Sequence, residues 1–217
     1  MTILITNPNY DLTTSYLFHY TKEVIDFAKG RGFDVIYLIR PRLNREVFSN
    51  FIFKKNPLFL LLNGHGNDAV IFGDKIDGVE ESLVEEGVNH YLLEGRLVYA
   101  RSCWSACSLG KECTKKSGCF IGYEVPFQFW VNENLSATPL KDETAKLFLE
   151  PSNILAKSLI KGNTAKQAVE ISKQIYKKHM LHLLNNKEEL GTMRFIRSLW
   201  NNMEGLVILG DKEMIYS

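Results

Sequence analysis

Two side chains in this sequence combine into recognisable chemistry. His65 lies in the turn-rich run Asn63-Gly64-His65-Gly66-Asn67-Asp68, and Cys103 lies in Arg101-Ser102-Cys103-Trp104. A cysteine is a weak nucleophile until it loses its proton, and a nearby imidazole either removes that proton or, as imidazolium, stabilises the thiolate. Acyl transfer through a thioester is the reaction such a pair performs. Gly66 lets the backbone approach a substrate closely, and its amide with that of Cys103 is a candidate oxyanion hole, where one donor is worth about 3 kcal/mol. Taken singly, each residue has a plainer explanation. Loop histidines are commonly polar surface residues and strand-end cysteines are commonly packed, so the case rests on the two being brought together.

The other candidates carry less. Cys107, Cys113 and Cys119 follow Cys103 without a CxxC knuckle, so structural zinc is not expected, and all three read as structural free thiols. His179 and His182 share a helix without a HExxH pattern, and Gly162-Asn163-Thr164 is a helix stop followed by a cap rather than a phosphate loop. No metal and no organic cofactor is called for.

The elements that must position His65 and Cys103 follow from periodicity. Short β-branched or aromatic runs alternate with helical patterns over the first hundred residues, the layout of a mostly parallel sheet covered by helices. Strands are expected at 2–6, 33–39, 58–62, 97–101 and 118–123. The run 58–62 is apolar at every position and so central in the sheet. Thr14 or Ser15 is the expected cap of a helix ending at Gly30 and Gly32, and a second helix runs from Asn44 to Asn56-Pro57. The run 69–74 reads as part of a hairpin, and the acidic stretch 77–86 as a solvated helix or loop. The loop 124–139 has no clear period, and loops of that length are commonly functional. The last third is helical, with 152–161 bounded by Pro151 and Gly162, then a long helix opened by a Thr164/Gln167 capping box. A late strand at 206–209 closes with Gly210-Asp211. Ligands in such sheets sit beyond the carboxyl ends of the strands, and His65 and Cys103 both follow strand ends.

Composition bounds the rest. The chain has 217 residues, 45% apolar and 24% charged, which fits one folded domain spanning 1–217. Basic and acidic side chains number 26 and 25, a balance that gives no long-range attraction for nucleic acid or an anionic membrane. No apolar run is long enough for a membrane helix, and the amino terminus lacks a basic n-region and a small-residue cleavage site, so a cytoplasmic location is expected.

The wording around the two residues resembles the caspase-like cysteine peptidases of clan CD, which include caspases, metacaspases, gingipains and CHAT domains. The resemblance rests on an apolar strand ending in His-Gly (Leu60-Leu61-Leu62-Asn63-Gly64-His65-Gly66), then an apolar strand ending two residues before the cysteine (Leu97-Val98-Tyr99-Ala100-Arg101-Ser102-Cys103). Val207-Ile208-Leu209-Gly210-Asp211 is similar to the strand that closes gingipain and CHAT domains. It implies an α/β three-layer sandwich and an endopeptidase acting on a protein or peptide, with His65 and Cys103 catalytic and the Gly66 and Cys103 amides as oxyanion hole. Relatives include members that require maturation, a regulatory protein partner or dimerisation. The position two before the nucleophile tends to line the specificity pocket. Here it is Arg101, which implies an acidic or polar substrate residue unless Glu124 neutralises it. Trp104 stands where caspases tend to carry a small or polar residue. Two alternatives stay open: an inactive module of the same fold that holds a protein segment, and a glutamine amidotransferase, against which the order of histidine before cysteine speaks.

Overall fold

The structure, a computed structural model, describes residues 1–185 and 191–216. In chain order the elements are β1 (Thr2–Thr6), α1 (Leu12–Gly30), β2 (Asp34–Leu38), α2 (Arg45–Lys55), β3 (Phe59–Asn63), β4 (Val70–Ile76), β5 (Val79–Glu85), β6 (Leu97–Arg101), α3 (Leu109–Cys113), β7 (Cys119–Tyr123), α4 (Glu143–Ile160), α5 (Ala165–Asn185), α6 (Thr192–Gly205) and β8 (Leu206–Gly210). Six strands form one sheet in the order β2-β1-β3-β6-β7-β8, parallel throughout except for β8, which pairs antiparallel with β7. The expected α/β class and mostly parallel sheet flanked by helices are present.

Side-chain alternation divides the core into two layers around the sheet. Ile3, Ile5, Phe59, Leu61, Leu97, Tyr99 and Ile121 face Tyr16, Val24, Leu149 and Leu159 from α1 and α4. Leu4, Leu60, Leu62, Val98, Ala100 and Phe120 face Phe48 and Ile52 of α2, the β4–β5 hairpin and α3. β3 is buried on both faces, as its uninterrupted apolar run requires. A third cluster, with Phe148, Tyr176, Met180, Leu199 and Met203, packs α4, α5 and α6 together.

Three expectations need correction. The helix α1 is capped by Asp11, whose Oδ1 accepts the Thr14 amide at 2.8 Å while Thr14 Oγ1 bonds back to the Asp11 amide. Thr14 is therefore the far side of a capping box and not the cap. The acidic stretch is neither helix nor loop: β5 pairs with β4 across Asp77-Gly78, both at positive φ, and buries Leu83 and Val84 while its glutamates stay partly exposed. Finally, α4 runs straight through Pro151. A proline lacks the amide that would bond the carbonyl four residues back, which here is Leu147. That carbonyl is satisfied by His179 from α5, with Nδ1 at 2.8 Å, so the neighbouring helix repairs what the proline removes. The same imidazole reaches Glu150 with Nε2 at 3.1 Å, which gives His179 a structural role.

The Thr164/Gln167 capping box forms as read, with the Gln167 amide on Thr164 Oγ1 and the Thr164 amide on Gln167 Oε1. Among the described residues no helix is long and apolar enough to cross a membrane.

Candidate active site

β3 and β6 are parallel neighbours in register, with Asn63 opposite Arg101. Their continuations carry His65 and Cys103 off the same edge of the sheet. Both side chains line one cavity of about 300 Å³, together with Thr13, Phe127, Gln128, Phe129 and Trp130.

Each residue is held by its own loop. Gly64 sits at φ +147, and a side chain there would meet the Phe72 carbonyl at 2.6 Å, so only glycine lets the chain pass this close to β4 before His65. The His65 carbonyl then accepts the Phe72 amide at 3.0 Å, and Asn67 closes the turn by accepting the Ala69 and Val70 amides. On the other side, Trp104 adopts φ +52, a left-handed conformation that costs a non-glycine residue energy and turns the chain sharply after Cys103. The turn is pinned by bonds from the Trp104 amide to the Val125 carbonyl and from the Ala106 amide to the Tyr123 carbonyl, both at 3.1 Å. The two loops touch, because the Asp68 carbonyl accepts the Ser108 and Leu109 amides.

A residue that the sequence reading passed over completes the arrangement. His65 Nε2 lies 2.6 Å from Asp11 Oδ2, while Asp11 Oδ1 caps α1. Burial raises the Asp11 carboxyl, but the Thr14 amide and hydroxyl and the His65 ring outweigh it and hold the group below its ordinary value. An ionised carboxylate on Nε2 keeps the proton on that nitrogen and leaves Nδ1 as the basic atom. Burial pushes the Cys103 thiol above its ordinary value, and its Sγ lies 3.9 Å from the Phe127 carbonyl in a long, weak contact. Among the described residues no hydrogen bond joins the imidazole to the thiol. Neither the Gly66 amide nor the Cys103 amide is engaged in a turn or cap bond among the described residues.

Arg101 is not in the cavity. It is fully buried within the α1/α4 layer, on the face of β6 that also carries Leu97 and Tyr99. Its Nε donates to Asn63 Oδ1 and its Nη2 to Thr21 Oγ1, each at 2.5 Å, and its Nη1 to Asn153 Oδ1 at 2.8 Å. No carboxylate contacts it among the described residues; the nearest in the chain of bonds is Glu23, which accepts from Asn153 Nδ2 at 3.0 Å. Glu124 does not neutralise it either. It is exposed, its amide bonds the Gly205 carbonyl at 2.9 Å, and its carbonyl lies 3.6 Å from Cys107 Sγ. Arg101 is therefore corrected as a substrate contact, being a tie inside the core, and Glu124 is corrected as its neutralising partner, being a surface residue beside Cys107.

The remaining thiols separate by environment. Cys113 and Cys119 are buried, which pushes each up to about 12, whereas Cys107 is half-buried.

No protein-family model matches this chain, and no curated protein matches it. The site therefore stands on its geometry: a thiol and an imidazole on one cavity, and a carboxylate against the imidazole.

Proposed function

We propose that this protein is a cysteine endopeptidase of the caspase-like α/β type, with His65 and Cys103 as its catalytic pair. The observation that carries the reading is that both side chains line one cavity while Asp11 holds the outer nitrogen of the ring. With Nε2 donating to Asp11, Nδ1 accepts the thiol proton, and the thiolate attacks a peptide carbonyl. The oxyanion takes up the Gly66 and Cys103 amides. The imidazolium then protonates the leaving amine, a thioester remains on Cys103, and the same imidazole removes a proton from the water that hydrolyses it. Each step uses groups that the chain itself supplies.

The parallel sheet between two helical layers, closed by the antiparallel strand β8, is in keeping with the caspase-like resemblance. Four free thiols suit a reducing compartment such as the cytoplasm. The substrate under this reading is a protein or peptide, with a regulatory protein partner as a further expectation. The inactive-module reading draws on one observation, that no hydrogen bond joins the His65 imidazole to the Cys103 thiol among the described residues. Incubation with a peptide library, read by mass spectrometry, separates the two. The peptidase reading expects cleavage that both Cys103→Ala and His65→Ala abolish, and cleavage surviving Cys103→Ala removes it.

A further inference from the structure

With Arg101 sealed in the core and Glu124 outside the cavity, the wall facing Cys103 is built from Phe127, Gln128, Phe129 and Trp130. We infer that this wall is a neutral, aromatic subsite that selects a large apolar or aromatic side chain on a residue next to the scissile bond. The inference rests on the peptidase reading and specifies its substrate class.

Apart from the catalytic pair itself, no lining residue among the described residues is ionisable. A carboxylate or ammonium entering would leave water for aromatic faces and a carboxamide, without a counter-charge to compensate its desolvation. An apolar side chain gains from the same burial. The volume, about 300 Å³, is at the lower end for small-ligand sites, which suits one side chain rather than an extended segment.

The wall is also preorganised. Phe127 stacks on buried Tyr123 with ring centroids 4.6 Å apart. The Gln128 main chain is clamped by Asn202 of α6, which is fully buried and bonds in both directions: its Oδ1 accepts the Gln128 amide at 3.0 Å and its Nδ2 donates to the Gln128 carbonyl at 2.6 Å. Trp130 Nε1 donates to Ser198 Oγ at 3.0 Å. Helix α6 thus fixes the rings before any ligand arrives, which lowers the ordering cost of binding. A cation stands near: the Arg194 guanidinium lies 4.4 Å from the Trp130 ring centroid, outside the lining, and its attraction for acidic side chains is an outcome the experiment reads.

The test measures alkylation of Cys103 in the full chain by N-acetyl-phenylalanyl, -leucyl, -aspartyl and -lysyl chloromethylketones, each rate divided by that of iodoacetamide. The phenylalanyl and leucyl ratios are expected to exceed the other two by about tenfold or more. Trp130→Ala narrows that gap and Trp130→Phe restores it. Gln128→Lys changes an exposed side chain whose main-chain bonds are independent of it, so it folds even where Trp130→Ala does not, and it raises the aspartyl ratio by about tenfold. Aspartyl or lysyl ratios equal to or above the phenylalanyl one overturn the inference, as does a Gln128→Lys variant with unchanged ratios. The peptidase reading fails separately, through iodoacetamide labelling of Cys103 that His65→Ala leaves unaltered.

Discussion

Asn63 and Arg101 are the last residues of β3 and β6, stand opposite each other in the parallel register, and are joined by Arg101 Nε donating to Asn63 Oδ1 at 2.5 Å. Two residues beyond each lies one member of the candidate catalytic pair. The distance between imidazole and thiol is therefore set from a buried bond beneath the cavity, and Asn63 extends the tie to β1 by donating Nδ2 to the Thr6 carbonyl at 2.6 Å.

Arg101 ends in a planar fork that meets Asn63, Thr21 and Asn153 at once. Arg101→Met leaves their buried oxygens without donors, and a loss of about 2–4 kcal/mol is expected in urea unfolding. Arg101→Lys is expected to cost no less, because one ammonium cannot span the three partners. A variant within about 0.5 kcal/mol of the parent, the range of an inert surface change, refutes the role of the guanidinium as a tie.

Gly66 is packed as tightly as it is placed. A side chain there would meet Ser102 Oγ at 2.1 Å and the Val70 carbonyl at 2.7 Å. Gly66→Ala is expected to destabilise by about 1–3 kcal/mol and to displace the amide assigned to the oxyanion. Ser102 Oγ is buried without a hydrogen-bond partner, so Ser102→Ala alone should be neutral or stabilising. Combined with Gly66→Ala it removes the shorter clash and recovers part of the loss, whereas strict additivity in the double-mutant cycle contradicts the contact.

The edge that carries the site was legible because parallel strands deliver their following loops to one side, and Leu60-Leu61-Leu62 and Leu97 to Arg101 are unmistakable central strands. What failed were inferences about single side chains. The family resemblance assigns Arg101 to a pocket, yet alternation along β6 puts it on the face of Leu97 and Tyr99, and a central strand is covered on both faces. That signal was available in the sequence. Asp11 escapes the sequence reading because Thr14 and Ser15, one turn later, are also cap-forming residues. Asp-x-x-Thr before an apolar run is itself a capping signature, and β1 adjoins β3 in the sheet, so the loop holding Asp11 had to pass near His65. Pro151 misled for another reason: its helix is rescued by His179 from a different element, which no local pattern reports.

Asp11 serves α1 and His65 with different oxygens, so its two roles can be pulled apart. Asp11→Asn retains an oxygen for the cap and loses the charge facing the ring; Asp11→Ala loses both and should cost about 1 kcal/mol more in stability. Both variants are expected to slow His65-dependent alkylation of Cys103 by about tenfold or more, the scale of a lost group that supports another. The carboxyl is held below its ordinary value of 3.8 in the fold, so its stabilisation is complete above that value and is lost as pH falls through the lower folded value. The stability gap between the parent and Asp11→Asn should accordingly close as pH falls through the folded value. A gap that persists well below it contradicts the assignment.

The thiols give the most direct reading of the site, because burial acts on all four but an imidazole shares a cavity with one. Cys113 and Cys119, pushed up to about 12, remain protonated near neutral pH and should resist iodoacetamide until the chain unfolds. Cys107 and Cys103 are the ones open to reagent. In His65→Ala, burial outweighs the contact with the Phe127 carbonyl at Cys103, and its alkylation rate should climb with pH toward a midpoint above the ordinary thiol value of 9.0. In the parent, faster alkylation than in His65→Ala is expected at the same pH, because the imidazole takes the thiol proton during attack. Cys107 has no such imidazole partner among the described residues and should give the same profile in both proteins. Peptide mapping after partial alkylation across a pH series resolves the sites individually. A Cys103 profile identical in the parent and in His65→Ala means that the two groups share a cavity without sharing a proton.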